Sequence, residues 1–151
     1  MRVKDLMTTN LATCRPADPL ATAAQLLWER DCGVVPVTDE AGRLLGVVTD
    51  RDACMASYTQ GRNLHAIPVE VAMAKRVVTL HEDDALPRAH ELMRTHRLRR
   101  LPVVDAAHHV VGLLSLKDLA LEAVAKKAGN DRQEVARTLA EISRPGVTKA
   151  L

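Results

Sequence analysis

Apolar residues recur along this chain in two rhythms, and each rhythm occurs twice. Leu20, Ala23, Ala24, Leu27 and Trp28 stand at i, i+3, i+4, i+7 and i+8, the stripe of an amphipathic helix of about 12 residues. Leu86, Ala89, Leu92 and Met93 repeat most of it. Asp18 before Pro19 predicts the start of the first helix, with the carboxylate as cap and Pro at the first helical position, and Pro87 falls in the tolerant first turn of the second. Short β-rich runs follow, Val34-Val35-Pro36-Val37-Thr38 and Leu44-Leu45-Gly46-Val47-Val48, joined by Asp39-Glu40-Ala41-Gly42-Arg43. Turn residues at both ends of that link predict a hairpin. The second copy reads Leu101-Pro102-Val103-Val104, then Asp105 to His109, then Val110 to Leu114, with His108 in place of Gly42. His is among the few residues besides Gly enriched at positive φ. Each hairpin runs into another helical pattern, Asp50 to about Ser57 and Leu116 to about Ala128, and Leu11-Ala12-Thr13 and Val77-Val78-Thr79 predict an extra strand ahead of each first helix. The unit is β-α-β-β-α.

The copies align without a gap at an offset of 66: Val3 on Val69, Met7 on Met73, Thr13 on Thr79, Leu20 on Leu86, Asp39 on Asp105, Gly46 on Gly112 and Asp52 on Asp118. Two copies are too few for an open solenoid, so the expected fold is α/β, one pseudo-twofold domain with any site in paired positions. Residues 1–60 and 61–125 form the repeats, with 55–68 as connector, and 126–151 form a helical tail. In the tail, Gly129 is placed to end the preceding helix, and Asp131 and Glu134 have capping-box spacing. Val135, Leu139 and Ile142 make a stripe that packs on the core or, as the alternative, contributes to a subunit contact, and Arg144-Pro145-Gly146 stops the helix.

Composition narrows the function. In 151 residues, 47% are hydrophobic and 26% charged, enough for a substantial core in one domain. No apolar run approaches the roughly 18 residues of a membrane helix, and Met1 to Asp5 lacks the apolar segment of a secretory signal, so a cytoplasmic location with no membrane contact is expected. Cys14, Cys32 and Cys54 lack C-x-x-C spacing and align with Leu80, Leu98 and Ala120, which makes them reduced, partly buried small hydrophobes. A net charge of +2, one Trp, one Tyr and no Phe leave little to stack bases on, so nucleic acid is excluded as a partner. Six scattered histidines offer no metal-ligand spacing.

Chemistry concentrates where both copies break the strand rules identically. Pro36 and Pro102 remove a ladder donor, and Gly46 and Gly112 remove a side chain where another backbone or a ligand can come close. Immediately after come Gly46-Val47-Val48-Thr49-Asp50-Arg51-Asp52 and Gly112-Leu113-Leu114-Ser115-Leu116-Lys117-Asp118. Thr-x-x-Asp and Ser-x-x-Asp are capping-box patterns, in which both side chains merely satisfy orphan N–H groups. The alternative is that the helix N-terminus faces a phosphate while the aspartate accepts hydrogen bonds from a ribose diol, with Arg51 and Lys117 adding a cation. A cap requires neither the cation nor the Pro and Gly beside it, so their joint recurrence favours the ligand. Arg97, Arg99 and Arg100 read either as a solvated helix end or as a reach toward phosphates.

With Asp-Leu-Met at 5–7, Val-Val-Pro at 34–36, Leu-Pro-Val-Val-Asp at 101–105 and the two Gly-x-x-Thr/Ser-x-x-Asp signatures, residues 3 to about 125 resemble the tandem CBS-domain pair, or Bateman module. The resemblance implies a pseudo-twofold module with two clefts between the repeats, binding adenine nucleotides such as AMP, ADP or ATP, and sometimes NAD or S-adenosylmethionine. It also implies a homodimer that regulates an effector protein. Carried onto this chain, one cleft uses Thr49, Arg51 and Asp52, with Thr13, Val35 and Pro36 lining the adenine slot. The other uses Ser115, Lys117 and Asp118, with Thr79, Leu101 and Pro102 at its base. Leu116 in place of Asp50, and Arg99 in place of Gly33, make the two clefts unequal, the second being the weaker candidate.

The residues offer no activated nucleophile, no carboxylate pair with a reason for a raised pKa and no metal set. A binding module rather than an enzyme is expected, a nucleotide sensor that shifts a population. The alternative is a ligand-free adaptor dimer whose last helix recruits a partner.

Overall fold

The computed structural model describes residues 1–126 and 129–145. A 3-10 turn, Val3–Asp5, is followed by α1 (Leu20–Glu29), the hairpin β1 (Val35–Thr38) and β2 (Leu44–Val48), α2 (Asp50–Gln60), a 3-10 turn Leu64–Ala66 and the short α3 (Val69–Ala72). The second half holds β3 (Leu80–His81), α4 (Leu86–His96), β4 (Arg100–Val104), β5 (Val110–Ser115), α5 (Leu116–Ala125) and α6 (Gly129–Ile142). β1 pairs antiparallel with β2, Val35 opposite Val48 and Val37 opposite Gly46, and the second sheet has the order β3-β4-β5.

The chain divides into two compact units that do not follow the sequence order of the repeats. One contains Met1–Thr8, Val78–Val103 and the described residues from Gly112 on; the other contains Thr9–Val77 and Val104–Val111. Each second half is thus completed by the leading segment of the other copy. Thr8 exchanges both main-chain hydrogen bonds with Leu113, at 2.9 and 3.0 Å, and Ala74 does the same with Val47, at 2.8 and 3.0 Å. The two pairs are equivalent at the 66-residue offset.

This exchange explains the glycines. A Cβ on Gly46 would stand 2.7 Å from the Ala74 carbonyl oxygen and 3.0 Å from Met73 Sδ, and one on Gly112 would collide with Sδ and Cγ of Met7. What comes close is the leading segment, by backbone and methionine together in one copy and by methionine alone in the other.

In the Thr9–Val77 unit the core gathers Cys14, Leu20, Ala23, Leu27, Val35, Val37, Val48, Ala53, Ile67 and Val69. Its counterpart buries Val3, Leu80, Ala89, Met93, Leu101, Val103, Leu114 and Leu119. Leu20, Ala23 and Leu27 of the helix stripe and the inner residues of both strands face inward as the periodicity requires, but Trp28, expected on the same stripe, is 86% exposed at the last turn of α1. The hairpin turns also form as expected. Gly42 and His108 take φ of +86° and +67°, and Asp39 and Asp105 Oδ1 each accept two amide N–H groups at 2.9 Å. Those N–H groups hold both carboxyls below the ordinary carboxylate range.

Several expectations change. Asp18 does not cap α1: Pro19 is the N-cap residue, and Asp18 Oδ2 instead takes the Arg15 N–H at 2.8 Å, because the carboxylate closes the preceding turn. The extra strand ahead of each first helix is displaced by a residue or more from Leu11-Ala12-Thr13 and Val77-Val78-Thr79. Cys14, the inward-facing position, bridges Val37, and β3 begins at Leu80. Gly129 opens α6 instead of ending α5, and Glu134 forms an ion pair with Arg94 at 2.7 Å rather than a capping box with Asp131. The buried centre of α6 is Thr138, fully enclosed, while Leu139 is 46% exposed. Thr138 is drawn inward by His90 Nδ1 at 2.9 Å and by Arg94 Nη1 at 3.2 Å. Cys14 is buried and Cys32 half-buried as expected, but Cys54 is exposed. The predicted stop at Gly146, and the extension of α5 through Lys127 and Ala128, lie outside the described residues.

Candidate ligand sites at the two hairpin-to-helix junctions

Both junctions fold alike. Thr49, in extended backbone, turns the chain from β2 into α2, and its Oγ1 accepts the Asp52 N–H at 3.2 Å. Asp52 Oδ2 accepts both the Thr49 N–H and the Thr49 hydroxyl, each at 2.9 Å. Ser115 and Asp118 repeat the pattern at 3.2, 2.8 and 2.7 Å. Complete capping boxes are therefore present in both copies. They do not exhaust the aspartates. A carboxylate has about four lone-pair sites, the box engages Oδ2 alone, and among the described residues Oδ1 of Asp52 and of Asp118 has no hydrogen-bond partner. Both residues are half-buried. The cap thus fixes each carboxylate and leaves one oxygen able to accept.

The strand lies beside the helix start. Val35 is the register partner of Val48, the residue before Thr49. Pro36 O accepts the Cys14 N–H at 3.1 Å and Cys14 O the Thr38 N–H at 2.9 Å, which brings exposed Thr13 alongside β1. Thr13, Val35, Pro36, Thr49, Arg51 and Asp52 all belong to one unit, and Thr79, Leu101, Pro102, Ser115, Lys117 and Asp118 to the other. Val35 and Leu101 are fully buried and Pro36 and Pro102 are buried beside them, so of each predicted slot only Thr13, exposed, and Thr79, half-buried, present surface to a ligand. Arg51 and Lys117 are exposed, and neither forms an ion pair among the described residues.

The helix starts differ in detail. In the first copy Asp50 Oδ1 takes the Arg51 N–H at 2.9 Å, placing a second carboxylate at the N-terminus of α2. In the second, buried Leu116 replaces Asp50 and gives its own N–H to the Arg99 carbonyl at 2.9 Å. That main-chain bond holds the loop that carries Arg97 and Arg99 and leads into Arg100, the first residue of β4, against the start of α5.

A polar cluster that sequence reasoning missed lies under α6. His90, 8% exposed, bonds Thr138, and Arg94 joins Glu134 and Thr138. Burial lowers the His90 pKa below its ordinary value, and Arg94 lowers that of Glu134. Beside it a cleft of about 360 Å³ is lined by Leu86, His90, Leu119, Glu122, Asp131 and Val135 among others. The signal available in the sequence was the replacement of Ala24 and Trp28 by His90 and Arg94 at apolar helix positions.

The sequence matches the CBS domain family over residues 3–58 and again over 62–124. The CBS domain-containing protein YhcV of Bacillus subtilis is 36% identical over 126 residues, which cover 83% of this chain and 88% of that protein. A homoserine O-acetyltransferase of Methanocorpusculum labreanum is 34% identical over 124 residues, but the match spans only 24% of that longer protein. Among solved structures, CBSX2 in complex with AMP superposes with a TM-score of 0.74 at 28% identity, covering 84% of this chain and 98% of that one. The CBS domain pair of protein MJ0100, in complex with 5'-methylthioadenosine and S-adenosyl-L-methionine, gives 0.74 at 26% identity, covering 83% and 98%. No helix among the described residues is long and apolar enough to cross a membrane. With two family matches in order and the same hairpin-to-helix junction built twice, the chain belongs to the CBS domain family as a tandem pair.

Proposed function

We propose that this chain is a regulatory module that binds adenosine-containing small molecules at its two junctions, AMP, ADP or ATP foremost and NAD or S-adenosylmethionine as further candidates. The carrying observation is the duplicated cap that spends one oxygen of Asp52 and Asp118 and leaves the other uncommitted. A ribose 2',3'-diol presents two O–H donors to such an oxygen, and charge-assisted bonds of this kind are the strong ones. AMP, 5'-methylthioadenosine and S-adenosylmethionine, the ligands of the two similar structures, share the adenosine and differ at the 5' position. The aspartates therefore serve all three, whereas Arg51 and Lys117 serve only an anionic 5' group. The base lies at the strand that carries Val35–Pro36 or Leu101–Pro102, against Thr13 or Thr79, which present the accessible surface there. No bond is made or broken. Binding favours one arrangement of the chain, and a coupling of about 1–3 kcal/mol suffices for a signal to an effector protein.

Thermal unfolding against AMP, ADP, ATP, NAD and S-adenosylmethionine tests this reading. A ligand at 100 times its Kd stabilises by about 2.7 kcal/mol, a shift of about 5–10 °C at this size. A flat response to every compound, or a shift that persists when Asp52 and Asp118 are both replaced by Ala, rejects it. A second reading, an adaptor that works by self-association, is favoured by exposed apolar side chains at matched positions. Met55 and Tyr58 on α2 are 45% and 79% exposed, and Leu121 and Val124 on α5 are 60% and 62% exposed. Sedimentation of the wild type against Tyr58→Lys and Val124→Lys tests it: a dimer that survives both changes excludes these faces.

A further inference from the structure

The two junctions differ most in charge, and the difference sits on a shared backbone. Asp31 and Arg97, equivalent at the 66-residue offset, both leave their helices at positive φ, +47° and +54°, so the same loop conformation carries opposite charges. At the helix exit and helix start of the first copy Arg30, Asp31, Asp50, Arg51 and Asp52 total −1, and over the same stretches of the second Arg97, Arg99, Arg100, Lys117 and Asp118 total +3. The Leu116 to Arg99 hydrogen bond ties the basic loop to the start of α5, whereas the Asp50 carboxylate already occupies an N–H at the start of α2.

A helix-end role accounts for little of the basic cluster. Arg94 and His96 already stand in the last turn of α4, and Arg99 and Arg100 lie beyond the reach of its dipole. Both are exposed, and among the described residues neither forms an ion pair. Charge of this kind acts on a bound anion without direct contact, since screening extends over about 8–10 Å at ordinary ionic strength.

We propose that the junctions are specialised by charge: the Ser115–Asp118 junction takes adenosine ligands with an anionic 5' group, and the Thr49–Asp52 junction takes those whose 5' group is uncharged. The assignment rests on the adenosine reading above and adds which class each site selects. Arg99 and Arg100 are the specificity residues of the anionic site, and at the other Asp50 offsets the charge of Arg51 beside it and so disfavours phosphate.

AMP and 5'-methylthioadenosine differ only at the 5' substituent, which makes them the probes. Calorimetry is run on Asp52→Ala, which retains the Ser115–Asp118 junction, and on Asp118→Ala, which retains the other; Asp→Asn versions keep the cap should either Ala variant unfold. In the Asp52 variant AMP binds at least about tenfold tighter than 5'-methylthioadenosine, and salt narrows the gap. Adding Arg99→Gln and Arg100→Gln lowers AMP affinity about tenfold and leaves 5'-methylthioadenosine within about twofold. In the Asp118 variant 5'-methylthioadenosine binds at least as tightly as AMP, and Asp50→Asn improves AMP several-fold. Equal AMP to 5'-methylthioadenosine ratios at the two junctions, AMP preferring the Asp52 junction, or AMP binding indifferent to Arg99 and Arg100 overturns the specialisation while adenosine binding stands. Absence of binding by either compound to the wild type overturns both.

Discussion

Replacing Gly46 and Gly112 by Ala, one at a time, should cost unequal amounts although the two positions are equivalent at the 66-residue offset. At Gly46 the new methyl meets the Ala74 carbonyl oxygen at 2.7 Å, well inside the 3.4 Å at which ordinary contact begins. The carbonyl cannot turn away alone: it accepts the Val47 N–H at 3.0 Å, and the Ala74 N–H returns to Val47 O at 2.8 Å. Moving the segment by several tenths of an ångström strains both bonds. Overpacking costs about 1–3 kcal/mol and a weakened hydrogen bond about 0.5–1.5. Against this stands the gain of about 0.5–1 kcal/mol when Ala replaces Gly in a strand, leaving Gly46→Ala at about 2 kcal/mol destabilising. At Gly112 the obstacle is Met7, its Cβ at 3.2 Å and its flexible Sδ and Cγ closer; the flexible end can move off its rotamer for about 0.5–1.5 kcal/mol, so the net cost is about 0–1. Urea unfolding of both variants, with Met7→Ala and Met73→Ala and the two double variants, measures the difference. Met7→Ala should relieve Gly112→Ala, whereas Met73→Ala should relieve Gly46→Ala only in part, because the Ala74 carbonyl stays in place. Equal costs, or complete relief of Gly46→Ala by Met73→Ala, would refute the packing argument.

Two further outcomes follow from the polar and sulfur groups. His90 is buried with its pKa below the ordinary 6.5, so the fold favours the neutral ring; the stability it supports is complete above about pH 6.5 and is lost as pH falls through the depressed value. An NMR titration should give a His90 midpoint below 6.5 and growing exchange of α6 amides at acid pH, and a midpoint at or above 6.5 contradicts the burial of this ring. Burial and the neighbouring Asp18 carboxylate push the Cys14 thiol up to about 11, while Cys54 is exposed. Iodoacetamide at pH 8 should modify Cys54 first and leave Cys14 unmodified in the folded chain, as read by mass spectrometry; equal rates contradict the described core.

Local structure was legible because the repeat supplied two readings of each element. The stripe through Leu20 and Leu27, the hairpin turns at Gly42 and His108, and the Thr-x-x-Asp and Ser-x-x-Asp starts of α2 and α5 all form where periodicity and turn chemistry put them. The exchange of leading segments was not legible: an offset aligns Thr8 with Ala74 but does not say which hairpin each one joins. The face of α6 was misread for a different reason. An apolar stripe points to Leu139, yet the buried position is Thr138, because a hydroxyl can bond the buried His90 ring where a Leu would leave that nitrogen unpaired. At the junctions, spacing alone could not separate a cap from a ligand site, and the geometry makes the distinction unnecessary, since one carboxylate oxygen does the first and the other is open for the second.

A crystal structure of the chain grown with AMP tests the central claim most directly. The account predicts a ribose hydroxyl within about 2.5–3.0 Å of Oδ1 of Asp118 or Asp52, with the Ser115 or Thr49 bonds to Oδ2 intact. Density for AMP away from both junctions, or an Asp118 and Asp52 that touch nothing beyond their caps in the complex, would contradict it.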